Sequence, residues 1–164
     1  MKKFSLIAAA VLAFASSSSF ALTASDGFDV IVNFTAACKV KTAAADMTFT
    51  YTAFGAAQQK TATTVFECSR GLTPTFNFDN TSVTQSGQAA PVALGAAITG
   101  EGIVGGVRYT LAGSSSKTQT GTAAAAGTDG TGDEYTIGLT ADLASQAGGS
   151  GTGGTHARTL VITY

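Results

Sequence analysis

From Phe28 the chain alternates with a period of two, setting Phe28, Val30, Val32 and Phe34 on one side and Asp29, Ile31, Asn33 and Thr35 on the other. A two-residue period is the mark of a strand with one face turned to an apolar environment. The pattern recurs in Met47, Phe49 and Tyr51 against Thr48, Thr50 and Thr52, and in Thr64, Phe66 and Cys68 against Thr63, Val65 and Glu67. Further strands are expected at 75–79 (Phe76, Phe78), at 107–111 (Val107, Tyr109, Leu111) and at 135–139 (Tyr135, Ile137, Leu139). The last is 159–164, where Leu160, Ile162 and Tyr164 alternate with Thr159, Val161 and Thr163. About seven short strands with polar, Gly-rich connections, and no sustained 3.6-residue apolar period, predict an all-β sandwich. Two connections, Gly113 to Asp133 and Ala144 to Thr155, are low in complexity and are expected to be mobile loops.

Composition agrees with strands. The 164 residues include 20 Gly, 26 Thr and three Glu (Glu67, Glu101, Glu134), so good helix formers other than alanine are scarce. Charged residues make up 12%, against a globular norm of about 25%. With nine Lys and Arg against ten Asp and Glu, no basic excess exists to neutralise phosphates or hold an anionic membrane, so nucleic acid is not an expected partner.

The start of the chain changes these sums. Met1-Lys2-Lys3 followed by the apolar run Phe4 to Ala15, then small residues to Ala21, has the form of a secretory signal peptide. The run is shorter than the roughly 20 apolar residues of a membrane-spanning helix, so no integral span is expected once residues 1–21 are removed. Cleavage after Ala21 would leave 143 residues with seven basic and ten acidic side chains. Export also exposes the two cysteines, Cys38 and Cys68, to oxidation, and one intrachain disulfide is expected.

Candidate chemistry is sparse. Gly100-Glu101-Gly102-Ile103-Val104-Gly105 matches the dinucleotide fingerprint in letters, but no helix pattern follows to receive a phosphate, and a flexible loop is expected there. Asp129, Asp133 and Glu134 miss the spacing of a calcium loop and suggest a solvated turn. His156 is the only histidine and has no Ser or Cys motif to serve. Neither a catalytic set, a metal site nor a cofactor is expected, and the chain is not expected to be an enzyme.

Several features together resemble the major subunits of archaic chaperone-usher pili, the family that includes spore coat protein U domains. They are the alternating segment from Gly27 to Phe34 running into Thr35-Ala36-Ala37-Cys38-Lys39-Val40, the second cysteine in Thr64-Val65-Phe66-Glu67-Cys68-Ser69, the strand Arg108-Tyr109-Thr110-Leu111, and the ending Thr159-Leu160-Val161-Ile162-Thr163-Tyr164. Where that family carries a Gly-x-Tyr-x-Asp element this chain has Gly154-Thr155-His156-Ala157-Arg158, and no Trp-Gly follows the Tyr109 strand. The resemblance implies residues 22–36 as a donor-strand segment and 37–164 as an incomplete immunoglobulin-like sandwich, completed by the N-terminal strand of a neighbouring subunit. It further implies Phe28, Val30, Val32 and Phe34 as groove-filling side chains. Leu160, Ile162 and Tyr164 would lie on the strand bordering the groove, and Cys38 and Cys68 would join the first two core strands. The implied partners are identical subunits in a head-to-tail filament, with a periplasmic chaperone and an outer-membrane usher during assembly of a surface fimbrium for adhesion or biofilm formation. Two other readings fit the pattern: a spore-coat structural protein, and a monomeric secreted β-sandwich that binds ligands through its Thr- and Gly-rich loops.

Overall fold

The computed structural model describes residues 29–79, 85–87, 90–149 and 153–164. It divides the chain into two units, Met1–Asn33 and Phe34–Tyr164. The described part of the first unit, residues 29–33, carries no strand.

The second unit holds nine strands among the described residues and no helix: β1 (Cys38–Thr42), β2 (Gln58–Cys68), β3 (Thr75–Phe78), β4 (Gln85–Ser86), β5 (Val92–Ala93), β6 (Ala97–Val104), β7 (Val107–Gln119), β8 (Asp133–Leu143) and β9 (Leu160–Thr163). They form a six-stranded sheet in the order β1-β2-β8-β7-β6-β4 and a three-stranded sheet in the order β5-β3-β9. Every pairing is antiparallel.

The period of two decides which side chains meet. Along β8, Asp133, Tyr135, Ile137, Leu139, Ala141 and Leu143 are all buried, with partly covered residues between them. Phe66 and Cys68 of β2, Leu111 of β7 and Ile98 of β6 complete that inner face. The smaller sheet answers with Phe76 and Phe78 of β3, which are 0% and 3% exposed. The two sheets meet directly. The Phe76 and Tyr135 rings meet at 6.2 Å between centroids, tilted by 55°, and a Cβ added to Gly113 of β7 would lie 3.3 Å from the Phe78 ring and 3.4 Å from Ile98. Glycine here lets the phenyl ring of one sheet approach the backbone of the other.

The expected strands at 63–68, 75–79, 107–111, 135–139 and 159–164 are present, several of them longer than the apolar alternation indicated. Residues 29–35 and 47–52, expected as strands, carry none; Phe28 lies outside the described residues. Met47 and Phe49 nonetheless pack against the core, so alternation there marks an inward face without a ladder partner. The segment from Gly113, expected as a loop, continues β7 to Gln119, because β8 supplies a pairing partner where the side chains are small or polar. Gly100 to Val104 is likewise strand rather than flexible loop. The Tyr109 ring lies on Gly102, and a Cβ there would sit 2.4 Å from the phenol oxygen. The aromatic covers the surface that a side chain would otherwise fill.

Candidate functional site

Burial falls off across the three-stranded sheet. Phe76 and Phe78 of the central strand β3 are enclosed, whereas Ile162 and Leu160, their register partners on β9, are half-buried although they pack against the same core. Among the described strands, β9 is an edge strand with β3 as its one neighbour. On its other side it therefore offers main-chain groups suited to strand addition. Val161 on the opposite face and Tyr164 beyond the strand are exposed. A second half-buried apolar row, Met47 and Phe49, lies on a segment that pairs with none of the described strands.

Val30, Ile31, Val32 and Phe34 are each between 78% and 81% exposed. Four large apolar side chains exposed within five residues, outside any strand among the described residues, mark a candidate interaction segment. Of the residues expected to fill a groove, Val30, Val32 and Phe34 are thus placed in the open.

The start of β9 is held by a polar cluster that no sequence pattern indicated. The Arg158 guanidinium pairs with Asp79 at 3.0 Å, donates to the Glu101 carbonyl at 2.7 Å and reaches the Tyr109 hydroxyl at 3.3 Å. The Thr159 amide donates to the same Asp79 carboxylate at 3.1 Å. Tyr109 also contacts His156 Nδ1 at 3.1 Å, with the two rings meeting edge-on. Burial works against the Arg158 charge, but the Tyr109 hydroxyl and Asp79 outweigh it and raise its pKa above the ordinary value. The cluster joins the end of β3, β6, β7 and the approach to β9, so it fixes where the edge strand begins. His156, without a catalytic partner in the sequence, has a structural one here.

No known family, curated protein or solved structure matches this chain. Function must therefore be read from its own geometry.

At the opposite end of the sandwich, Cys38 and Cys68 form the expected disulfide across adjacent strands. Next to it, Asp133 is fully buried, which corrects the expectation of a solvated turn at that position; Asp129 is exposed. Its carboxylate accepts from Lys117 Nζ at 2.8 Å, the Gly71 amide at 2.9 Å and the Gly121 amide at 2.6 Å. The Lys117 ammonium, aided by those two amides against the effect of burial, lowers the Asp133 pKa to about 2. The Tyr135 hydroxyl donates to the Leu72 carbonyl at 2.8 Å, and burial pushes its pKa up. Asp133 and Tyr135 thus tie the β2–β3 and β7–β8 connections to β8. On the outer face, Lys39 pairs with Glu67 at 3.0 Å and Lys41 with Glu134.

Among the described residues, no three His, Cys, Asp or Glu side chains gather to hold a metal ion. No helix among them is long and apolar enough to cross a membrane.

Proposed function

We propose that this chain is a structural subunit of a secreted surface pilus, without enzymatic activity, that polymerises by donor-strand exchange. The observation that carries the proposal is the exposure of Val30, Ile31, Val32 and Phe34 on a segment outside any ladder, in a chain whose last strand is an edge over a half-covered core. The segment before β1 carries exposed apolar side chains, and β9 and the Met47–Phe49 segment carry half-buried apolar rows with no described strand beside them.

In this reading the sandwich is immunoglobulin-like and lacks one strand. Phe28, Val30, Val32 and Phe34 of one copy enter beside Leu160 and Ile162 of the next. Burying four such side chains contributes on the order of 6 to 12 kcal/mol before the cost of ordering the segment. Main-chain pairing along β9 adds direction, and donor and acceptor on one chain make the contact heterologous, so it propagates instead of closing. A periplasmic chaperone would cover the acceptor side until an outer-membrane usher admits the next subunit. The disulfide fits an oxidising compartment on that route.

The test is deletion of residues 27–35. The truncated chain should remain chaperone-bound and fail to polymerise, while the full chain forms filaments visible by electron microscopy. A full chain that purifies without a chaperone as a stable monomer, or a truncated chain that still forms filaments, overturns the proposal.

A further inference from the structure

The ladder between β9 and β3 decides which main-chain groups of β9 are already used. The Asp79 amide donates to the Thr159 carbonyl at 2.9 Å, and the register continues through Phe78–Leu160, Asn77–Val161, Phe76–Ile162 and Thr75–Thr163. In an antiparallel ladder, alternate residues turn both their N–H and C=O to the same neighbour. Thr159, Val161 and Thr163 therefore bond towards β3, and Leu160 and Ile162 turn theirs to the side where no described strand stands. The side chains of Leu160 and Ile162 are also those that pack against the core. A strand added on that side bonds at Leu160 and Ile162 and sets its own inward residues opposite them.

Direction follows from where the joints between copies fall. The end of β9 lies towards the disulfide: Thr163 pairs with Thr75, the neighbouring Phe76 meets Tyr135, and β2 sets Tyr135 opposite Phe66 and Asp133 opposite Cys68. The start of β9 lies at the other end, where Arg158 reaches the Glu101 carbonyl and the Tyr109 hydroxyl. Residues 34–37 join the sandwich at the disulfide end, the Ala37 carbonyl accepting from the Ser69 amide at 2.8 Å. A donor antiparallel to β9 brings its own domain to the Arg158 end of the acceptor. A parallel donor would bring it to the disulfide end, where the acceptor's own residues 34–37 already leave. Antiparallel addition thus keeps the two joints of each copy at opposite ends, as a propagating contact requires.

Facing alone admits registers two residues apart, and the outer face chooses among them. On that face of β9, Val161 is an exposed apolar side chain between the exposed Thr159 and Thr163. The donor residues of matching parity are Asp29, Ile31 and Asn33, of which Ile31 alone is apolar, and it is 81% exposed. Because the main-chain groups of Val161 bond towards β3, a residue opposite it on the free side forms the non-hydrogen-bonded kind of pair, in which side chains come closest. Asp29 or Asn33 in that place would lay a polar group against valine, whereas Ile31 covers it.

We infer that Ile31 of one copy packs against Val161 of the next on the outer face of the sheet, fixing the register in which Val30 lies opposite Ile162 and Val32 opposite Leu160. The inference rests on the strand-exchange reading above and deepens it: a pair outside the groove selects one register from several that the groove admits alike. It also gives Ile31, whose parity keeps it out of the groove, a partner.

The experiment oxidises filaments of a chain carrying Ile31→Cys and Val161→Cys, the native cysteines being already bridged to each other. Directly opposed strand positions lie within the span of a disulfide. Reductant-sensitive covalent oligomers are expected, with a yield severalfold above that of Asp29→Cys or Asn33→Cys combined with Val161→Cys. Filaments grown from a mixture of isoleucine-labelled and valine-labelled copies of the unaltered chain should also show Ile31–Val161 contacts by solid-state NMR, a measurement that needs no substitution. Equal or preferred bridging from position 29 or 33, or filaments without the NMR contact, overturn this register while leaving strand exchange standing. A 31–161 bridge closed within one copy, or no filament from the unaltered chain, overturns both readings.

Discussion

Arg158 and Asp79 form an ion pair at 3.0 Å with only 11% and 9% of their side chains exposed, and it bolts the start of β9 to the end of β3. The two residues are 79 positions apart. Removing one partner from so enclosed a pair strands the other charge. Arg158→Ala is therefore expected to destabilise the domain by about 3 kcal/mol, within the range for a broken buried pair. Urea unfolding measures the loss, and a loss below about 1 kcal/mol, typical of an exposed pair, would show that the pair is solvated.

Asp133 predicts an acid response. Its folded pKa of about 2 lies below the ordinary 3.8, so its ion pair and hydrogen bonds stabilise the fold fully above about pH 4. That contribution is lost as pH falls from about 4 towards 2. Asp133→Asn should weaken the protein at neutral pH by roughly 1.5 to 3 kcal/mol, the usual worth of hydrogen bonds to a charged group. It should also flatten the stability profile between pH 4 and 2. An unchanged slope in pH-dependent denaturation would assign the acid response to other carboxylates.

Replacing Cys38 and Cys68 together by Ser opens the 30-residue link between β1 and β2. A loss of about 2 to 5 kcal/mol is expected, with faster amide exchange concentrated in β1. Exchange rising equally in all strands would mean that the bridge supports the whole domain and not its edge.

Gly102→Ala would drive a Cβ to within 2.4 Å of the Tyr109 hydroxyl, which His156 and Arg158 hold in place. A destabilisation of about 1 to 3 kcal/mol is expected, as for other overpacked sites. Tyr109→Leu should reduce the penalty of the added methyl, and a double-mutant cycle reads the coupling. Purely additive effects would refute the stacking.

Val32→Asp probes the N-terminal segment. The side chain is 80% exposed, so the thermal midpoint of the unassembled domain should not move. Polymerisation, read by light scattering, should stop because a carboxylate would have to enter an apolar groove.

The parts of the fold legible in the sequence are those where large apolar residues alternate, as in Tyr135, Ile137 and Leu139 or Phe76 and Phe78. β6 was hidden because Ile98 is its only fully buried large side chain and Gly100 and Gly102 occupy the middle of its inward face. The outer half of β7 was hidden because Ser114, Ser116 and Gln119 owe their strand to pairing with β8 and not to burial. Met47 and Phe49 were correctly legible as inward-facing but not as ladderless, since alternation reports the environment of side chains and not the partners of the main chain. The disulfide followed from counting cysteines. The Arg158 cluster left no trace, because nothing local relates Asp79, Tyr109 and His156 to Arg158 before the sheets come together.

The position of the disulfide has a mechanical consequence. A pull on the N-terminal segment arrives at Cys38, the first residue of β1, and the sulfur bridge passes it at once to Cys68, the last residue of β2. Tension therefore bypasses the short outer strand, which would otherwise peel away one rung at a time. It loads β2 along its axis, in shear against all eleven register pairs that β2 makes with β8.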